Sequence, residues 1–408
     1  MRLHKNKGRF LGMPSDKEFK AVVDQLRLLR DRNLTIQDLK NAKQQLHEKN
    51  YFNLINGFET LLLDNPKGTS KYYTNVFFDD FLSLYKLDNQ LSSLIFQKIS
   101  ELENKLKTSI SYHFSKNHCS TLCDNNKYIE LTSYSLPKRT DGPKEYTKHF
   151  NKHKLFKKNA YFEGIFSGDF SGQVTYDSAR GGKTILEGTF TGRFGSTSIN
   201  TVQGKCTFFN SNQASLVTLI RSLAPSSGTS ITTTITIRDE RIYGLNYIDE
   251  CKTRFPFINE YNNPPFWVVI KTLMFNDLIL LLYGLKKRTF DAILRDFNLK
   301  PIDKKKFLNS LQIIRELRNT CAHFELVNRF RTSSSLKINQ HLISELGLTP
   351  MRANKFVLKL YDVLKILKQY IDLTEIKLLL WKYRYEEKRD IAISLLDRMG
   401  NSNIFYWI

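Results

Sequence analysis

The sequence predicts a mainly α protein into which a small β-rich module is inserted. Two observations predict this class. Over residues 16–155, and again from 240 to 375, apolar residues recur in steps of three and four, the period of a helix face. Between them, over 157–238, the texture turns to Gly, Thr, Ser and Phe in alternation. The unit Phe-x-Gly recurs there as "FEG", "FSG", "FSG" and "FTG", a strand period bounded by glycine. The expected organisation is a first helical part over 1–156, the insert over 157–238, a second helical part over 239–375 and a helical tail over 376–408. The alternative is one α+β domain.

Each element follows from its stripe and its ends. "DKEFKAVVDQLRLLRDRN" sets Phe19, Val22, Val23, Leu26, Leu29 and Leu34 at helical spacing behind a Ser15/Asp16 cap and a Pro14 stop. In the next helix Thr35 is the candidate cap, with Ile36, Leu39, Ala42 and Leu46 on one face. "FDDFLSLYKLDNQLSSLIFQKISELENKLKTSISYHF" carries the longest stripe, Leu84 to Ile110, and reads as one long helix or as two broken at Asp88. The basic stretch "KEYTKHFNKHKLFKK" reads as a hinge before the insert. Inside the insert, "NQASLVTLIRSLAPSSG" predicts a helix ending at Pro225, and "GTSITTTITIRDE" predicts a strand. Pro264 and Pro265 mark a helix start, and "DLILLLYGL" (Asp277 to Leu285) reads as a buried core helix. The tail reads as a helical hairpin or cap, with an aromatic end, "NIFYWI", suited to dock on a core or a partner.

The 408-residue chain has 62 Lys and Arg against 40 Asp and Glu, a net charge of +22. An acidic partner is expected, nucleic acid before a membrane surface. Hydrophobic content of 41% excludes disorder as the dominant state. Five scattered cysteines (Cys119, Cys123, Cys206, Cys251 and Cys321) argue for a reducing compartment rather than a disulfide framework. The N-terminus lacks a signal peptide's apolar run, and no apolar run is long enough to span a bilayer, so a cytoplasmic location is expected. His113, His118, Cys119 and Cys123 lack a paired Cys-x-x-Cys and read as incidental to a helix face rather than as a zinc site. "SARGGKT" (Ser178 to Thr184) lacks the phosphate-loop frame and reads as a hairpin turn. Neither a metal nor another cofactor is expected.

The stretch from Asp303 to Glu325, "DKKKFLNSLQIIRELRNTCAHFE", carries the candidate chemistry. With Asp303 as N-cap, Phe307, Leu311, Ile314 and Cys321 form one buried stripe. The member this stripe lacks is position 318, where an arginine stands for the expected leucine. A buried guanidinium without an anion is expensive. Asn319 and His323, one turn apart, share a face beside it. Metal-free RNA cleavage needs these groups: an imidazole to move the 2′-hydroxyl proton, and a fixed guanidinium to steady the phosphorane. One His and one Arg are too few for both faces of an in-line displacement, so a homodimer is expected to bring a second pair. The structural alternative has Arg318 reaching out from the helix end and His323 capping it.

"ELRNTCAHFELVNR" resembles the Arg-Asn-x-x-Ala-His motif of HEPN ribonucleases, and specifically of the Abi-like abortive-infection proteins (the AbiD/AbiF group). "NYFNLINGF" (Asn50 to Phe58) resembles that family's Tyr-Tyr-x-x-x-x-Gly-Tyr segment, with Phe at two aromatic positions. "LYKLDNQLSSLIFQKISELENKLKTSI" is similar to its Tyr-x-x-Asp-x-x-Leu helix, and "PPFWVVIKTLMFNDLILLLYGL" to its Pro-x-Trp block. The likeness covers 16–155 and 240–375 and leaves out the Phe-x-Gly insert. It implies a HEPN-like helical bundle and a phage-defence effector that cuts RNA, in some members alongside a small noncoding RNA. Arg318 and His323 carry over as catalytic, and Asn319 as their polar companion. Many HEPN proteins bind RNA without cutting it, so non-catalytic RNA binding stays open. So does an interaction module whose insert senses a phage component.

RNA-backbone contacts are expected at Arg315, Arg329 and Arg331 around the motif. They are also expected at Lys148, Lys152, Lys154, Lys157 and Lys158 in the basic, aromatic-interleaved stretch before the insert. The alternative for that stretch is a solvated linker.

Overall fold

The computed structural model describes residues 19–68, 71–157, 161–178, 182–195, 197–348, 356–386 and 389–407. Its principal elements, in chain order, begin with α1 (Val22–Asp31), α2 (Leu39–Glu48), a π-helical turn at Phe52–Asn56 and α3 (Phe78–His118). Short helical turns then lead to β1 (Tyr161–Asp177), β2 (Lys183–Phe194), β3 (Thr197–Phe209), α4 (Ala214–Leu223) and β4 (Thr229–Gly244). The chain continues through α5 (Phe275–Tyr283), α6 (Lys287–Asp296), α7 (Lys304–Ala322), α8 (Leu360–Leu367), α9 (Thr374–Glu386) and α10 (Arg389–Met399). The protein is therefore mainly α with an inserted β module. No helix among the described residues is long and apolar enough to cross a membrane.

The chain forms two compact units, one of residues 1–101 with 312–408 and the other of 102–311. Sequence texture instead places breaks near 156, 238 and 375.

In the first unit, the apolar faces of α1 and α2 bury Leu26, Leu29, Ala42 and Leu46. Phe19 and Val23, assigned by spacing to the α1 stripe, are exposed instead. The Ser15/Asp16 cap and Pro14 stop lie outside the described residues. Thr35 does not cap α2. Its backbone is occupied in a bridge, donating to the Val76 carbonyl and accepting from Phe78 N–H. Asp38 caps instead, its carboxylate accepting from Asn41 N–H at 2.9 Å, and Leu39 faces solvent.

Helix α3 runs unbroken for 41 residues. Leu84, Leu87, Leu91, Ile95, Ile99, Leu102, Leu106 and Ile110 are all buried. Each such side chain contributes about 1.5–3 kcal/mol of burial. Asp88 does not break the helix, because its carboxylate is used by a distant loop described below. At the tail, α9 and α10 form a hairpin, and the buried Trp407 donates its indole N–H to the Asn401 carbonyl at 2.7 Å.

In the second unit the four strands close into an antiparallel barrel. β1 pairs along its length with both β2 and β4, whereas β3 meets β4 through only three residue pairs, Gly204↔Gly244 to Cys206↔Ile242. The Phe-x-Gly repeat explains so narrow a barrel. Residues two apart share a face, so Phe166, Phe170 and Phe190 point inward in line with Gly168, Gly172 and Gly188. Gly172 faces Gly188 across the ladder, and a Cβ on it would lie 2.3 Å from the Glu187 carbonyl oxygen. Aromatic layers thus alternate with bare ones, and α4 adds Leu216, Val217 and Ile220 to the same core.

The basic stretch before the barrel is no loose hinge. Tyr146, Phe150, His153, Leu155 and Phe156 are buried. The His153 ring accepts from Leu155 N–H through Nδ1 and meets the Asp277 carbonyl through Nε2, both at 3.2 Å. Burial holds this histidine at about 4, well below its usual value. Helix α5 is the buried core helix that its apolar run predicts, with Leu278, Ile279, Leu281 and Leu282 inaccessible.

Candidate functional site

Helix α7 presents Phe307, Leu311, Ile314, Leu317 and Cys321 to the interior. The stripe therefore lacks no member: Leu317 fills it, and Arg318 borders it rather than replacing a leucine. A 3.6-residue period admits either a three- or a four-residue step at that point, and the apolar side chain takes the inner seat. Arg318 is half-buried. Its guanidinium lies 5.6 Å from the centroid of the Phe96 ring of α3, within cation–π range. Its Nε is enclosed with no hydrogen-bond partner, and no described carboxylate pairs with it. The charge is held in place but not neutralised, the condition in which a guanidinium accepts an oxyanion.

Asn319 and His323 follow on the exposed side of the same turn, and His323 N–H closes the helix on the Asn319 carbonyl at 3.0 Å. Arg315 sits one turn earlier, half-buried. The helix then ends in a left-handed turn. Phe324 N–H donates to the Cys321 carbonyl at 3.2 Å and Glu325 N–H to that of Thr320 at 3.1 Å, a Schellman arrangement. Cys321 is buried, which pushes its thiol up to about 11 and removes it as a nucleophile.

The loop leaving the helix is anchored by a buried carboxylate. Asp88, buried on α3, accepts from Val327 N–H at 3.0 Å, and from Asn328 N–H and the Asn328 side-chain amide, both at 2.8 Å. Burial raises the Asp88 pKa, and these bonds pull the other way. Asn328 in turn accepts from Arg398 of α10 at 3.2 Å. The same guanidinium donates to the Gly57 carbonyl at 3.0 Å and to the Thr60 hydroxyl. Arg329 donates to the neighbouring Asn56 carbonyl.

The π-helical turn makes those two carbonyls available. Gly57 N–H reaches back to the Phe52 carbonyl, and a Cβ on Gly57 would lie 2.5 Å from Leu326 of the loop. Arg331 donates to the Arg398 carbonyl at 2.8 Å. Burial, then the nearby Arg329 and Arg331, bring Arg398 down to about 10. The segments "NYFNLINGF", "LYKLD" and "RNTCAHFELVNR" thus meet in one place. Arg398 carried no sequence signal, since it lies in an ordinary helical tail.

The expected lysine track is only partly open. Lys148 and Lys152 are exposed. Lys154 is ion-paired with Asp277 at 2.5 Å and lies over the Tyr247 ring, and Lys157 is ion-paired with Glu250. Lys158 lies outside the described residues. Among the residues weighed for zinc, His113 bonds Asp296 at 2.9 Å, His118 stacks on Phe114, and Cys119 donates to the Asp124 carbonyl at 3.3 Å. No group of three or more potential ligands gathers among the described residues. Ser178 to Thr184 spans the β1–β2 connection of the barrel; its residues 179–181 lie outside the described set.

No curated protein and no solved structure matches the chain. The family model of Abi-like proteins matches residues 44–162 and 226–327, which take in the π-helical turn, Asp88 and the Arg318–His323 helix. The interval it passes over, 163–225, falls within the barrel and its helix. The chain belongs to the Abi-like protein family, and with it to the abortive-infection class of defence proteins.

Proposed function

We propose that the protein is an antiphage abortive-infection effector acting as a metal-independent endoribonuclease of the HEPN type. His323 takes the proton from a ribose 2′-hydroxyl. The 2′-oxygen attacks the adjacent phosphorus, the P–O5′ bond breaks, and a 2′,3′-cyclic phosphate and a 5′-hydroxyl result. Arg318 steadies the charge of the pentacoordinate intermediate, and Asn319 orients substrate beside it. The proton for the leaving oxygen comes from the His323 of a second copy in a homodimer. A small noncoding RNA is the partner that the family resemblance implies.

One observation carries this reading: the un-neutralised Arg318, fixed over Phe96, shares the end of one helix with the exposed Asn319 and His323. A second reading, RNA binding without turnover, is favoured by another: no described group orients the His323 ring as a second partner orients most catalytic histidines. The two separate in one assay. Labelled RNA incubated with purified protein in EDTA is expected to be cut to cyclic-phosphate ends. Cleavage should fall at least 100-fold in His323→Ala and Arg318→Ala. Binding without cleavage in the wild type selects the second reading, and full cleavage by His323→Ala sinks the mechanism.

A further inference from the structure

Among the described residues, five non-glycine positions have left-handed backbone: Asn33, Asn50, Asn75, Asn298 and Phe324. Four are asparagine, the residue that tolerates this conformation through its own side-chain bonding. The exception is Phe324, with φ +56°, at the Schellman position where helices ordinarily place glycine. The residue is 88% exposed. An aromatic here is unfavourable twice over, in backbone strain and in wetted apolar surface, and it directly follows His323. Residues held in unfavourable backbone conformations cluster where a ligand is gripped.

We propose that Phe324 is a nucleobase platform, a specificity-determining residue on which the base beside the scissile phosphate stacks. This rests on the RNA reading above. The left-handed turn reverses the chain just past the helix end, at the exposed residue that follows His323 and lies six positions beyond Arg318. Phosphate on the guanidinium and a base on the ring is the pairing by which proteins hold single-stranded nucleic acid. A protein partner is disfavoured by the surroundings. Interface cores are contiguous and apolar, whereas Asn319, His323 and Glu325 at the same helix end are exposed and polar. Because every base offers a π-face, the platform ranks bases by stacking area, purine above pyrimidine, and demands no particular edge.

The test uses the full chain and a short single-stranded RNA in which one abasic site is walked along the sequence. Binding is read by anisotropy, and cleavage by end-labelled products. For the wild type, one abasic position is expected to weaken binding or cleavage about tenfold. Phe324→Asn should be insensitive at that position while remaining sensitive elsewhere, and Phe324→Trp should retain the wild-type profile. Asn suits the left-handed turn, so this variant folds at least as stably as the wild type. If wild type and Phe324→Asn bind or cut RNA with the same abasic profile, the platform is refuted and the RNA reading stands. If the wild type neither binds nor cuts any RNA of the series, the RNA reading falls and the platform with it. If Phe324→Asn changes only the sedimentation of the protein, the ring covers a second copy and the proposal is wrong.

Discussion

Asp88→Ala tests whether the loop behind the candidate site is held as the structure implies. The substitution leaves three donors without an acceptor: Val327 N–H, Asn328 N–H and the Asn328 side-chain amide. Val327 and Asn328 are buried, so water does not replace the carboxylate. Each abandoned buried donor costs about 1–3 kcal/mol, and no longer burying the carboxylate offsets part of that. The net expectation is a loss of about 3–5 kcal/mol. Asp88→Asn keeps one accepting oxygen but turns an amide N–H₂ toward the donors, and should lose roughly half as much. Urea unfolding followed by circular dichroism measures both. Under the proposed mechanism, RNA cleavage by the residual folded protein should fall as well, because Asp88 holds the loop that leaves α7 directly after His323. A loss below about 1 kcal/mol in Asp88→Ala would refute the inference that this carboxylate anchors the loop.

Two further outcomes are expected. His153 has a folded value of about 4 against 6.5, so the neutral ring contributes stability that is complete above pH 6.5 and is lost as the pH falls toward 4. The full loss amounts to about 3 kcal/mol. His153→Gln should lower the urea midpoint at pH 7 and flatten its decline between pH 6.5 and 4; an unchanged acid slope would assign that slope to other groups. In the barrel, Gly172→Ala puts a methyl 2.3 Å from the Glu187 carbonyl oxygen, so strands must separate. It should cost about 1–3 kcal/mol and make the barrel segment sensitive to limited proteolysis, and wild-type resistance in Gly172→Ala would refute the close approach of the two strands.

What the sequence reveals and what it hides divide along physical lines. Periodicity is local, so the α3 stripe, the buried α5 run and the inward alternation of phenylalanine and glycine are legible from the chain alone. Phase is only half local. The stripe on α7 reads equally through 317 or 318 by spacing, and only the apolarity of Leu317 settles it. Capping fails at Thr35 because a bridge to the segment before α3 claims its backbone, leaving Asp38 to do the capping. The basic stretch before the barrel looks like a linker by charge, yet its interleaved Tyr146, Phe150 and Phe156 are core residues. Long-range polar contacts are the least legible. Asp88 meets Asn328 across 240 positions, and Arg398 meets Gly57 across 341, so composition near either partner carries no trace of the other. The candidate site residues are legible as a motif, whereas the groups that hold the motif's loop are not.

Arg398 has a consequence for how the protein is made. A ribosome extends the chain from its N-terminus, so α3, α7 and the Arg318–His323 segment all emerge before α10. Until residue 398 clears the exit tunnel, Asn328 lacks its guanidinium donor, the Gly57 carbonyl its cap and Arg331 its carbonyl acceptor. Loop closure therefore waits on a helix made some seventy positions after the loop itself. The helix that carries Arg318 and His323 is thus synthesised before the contacts that hold its outgoing loop can form.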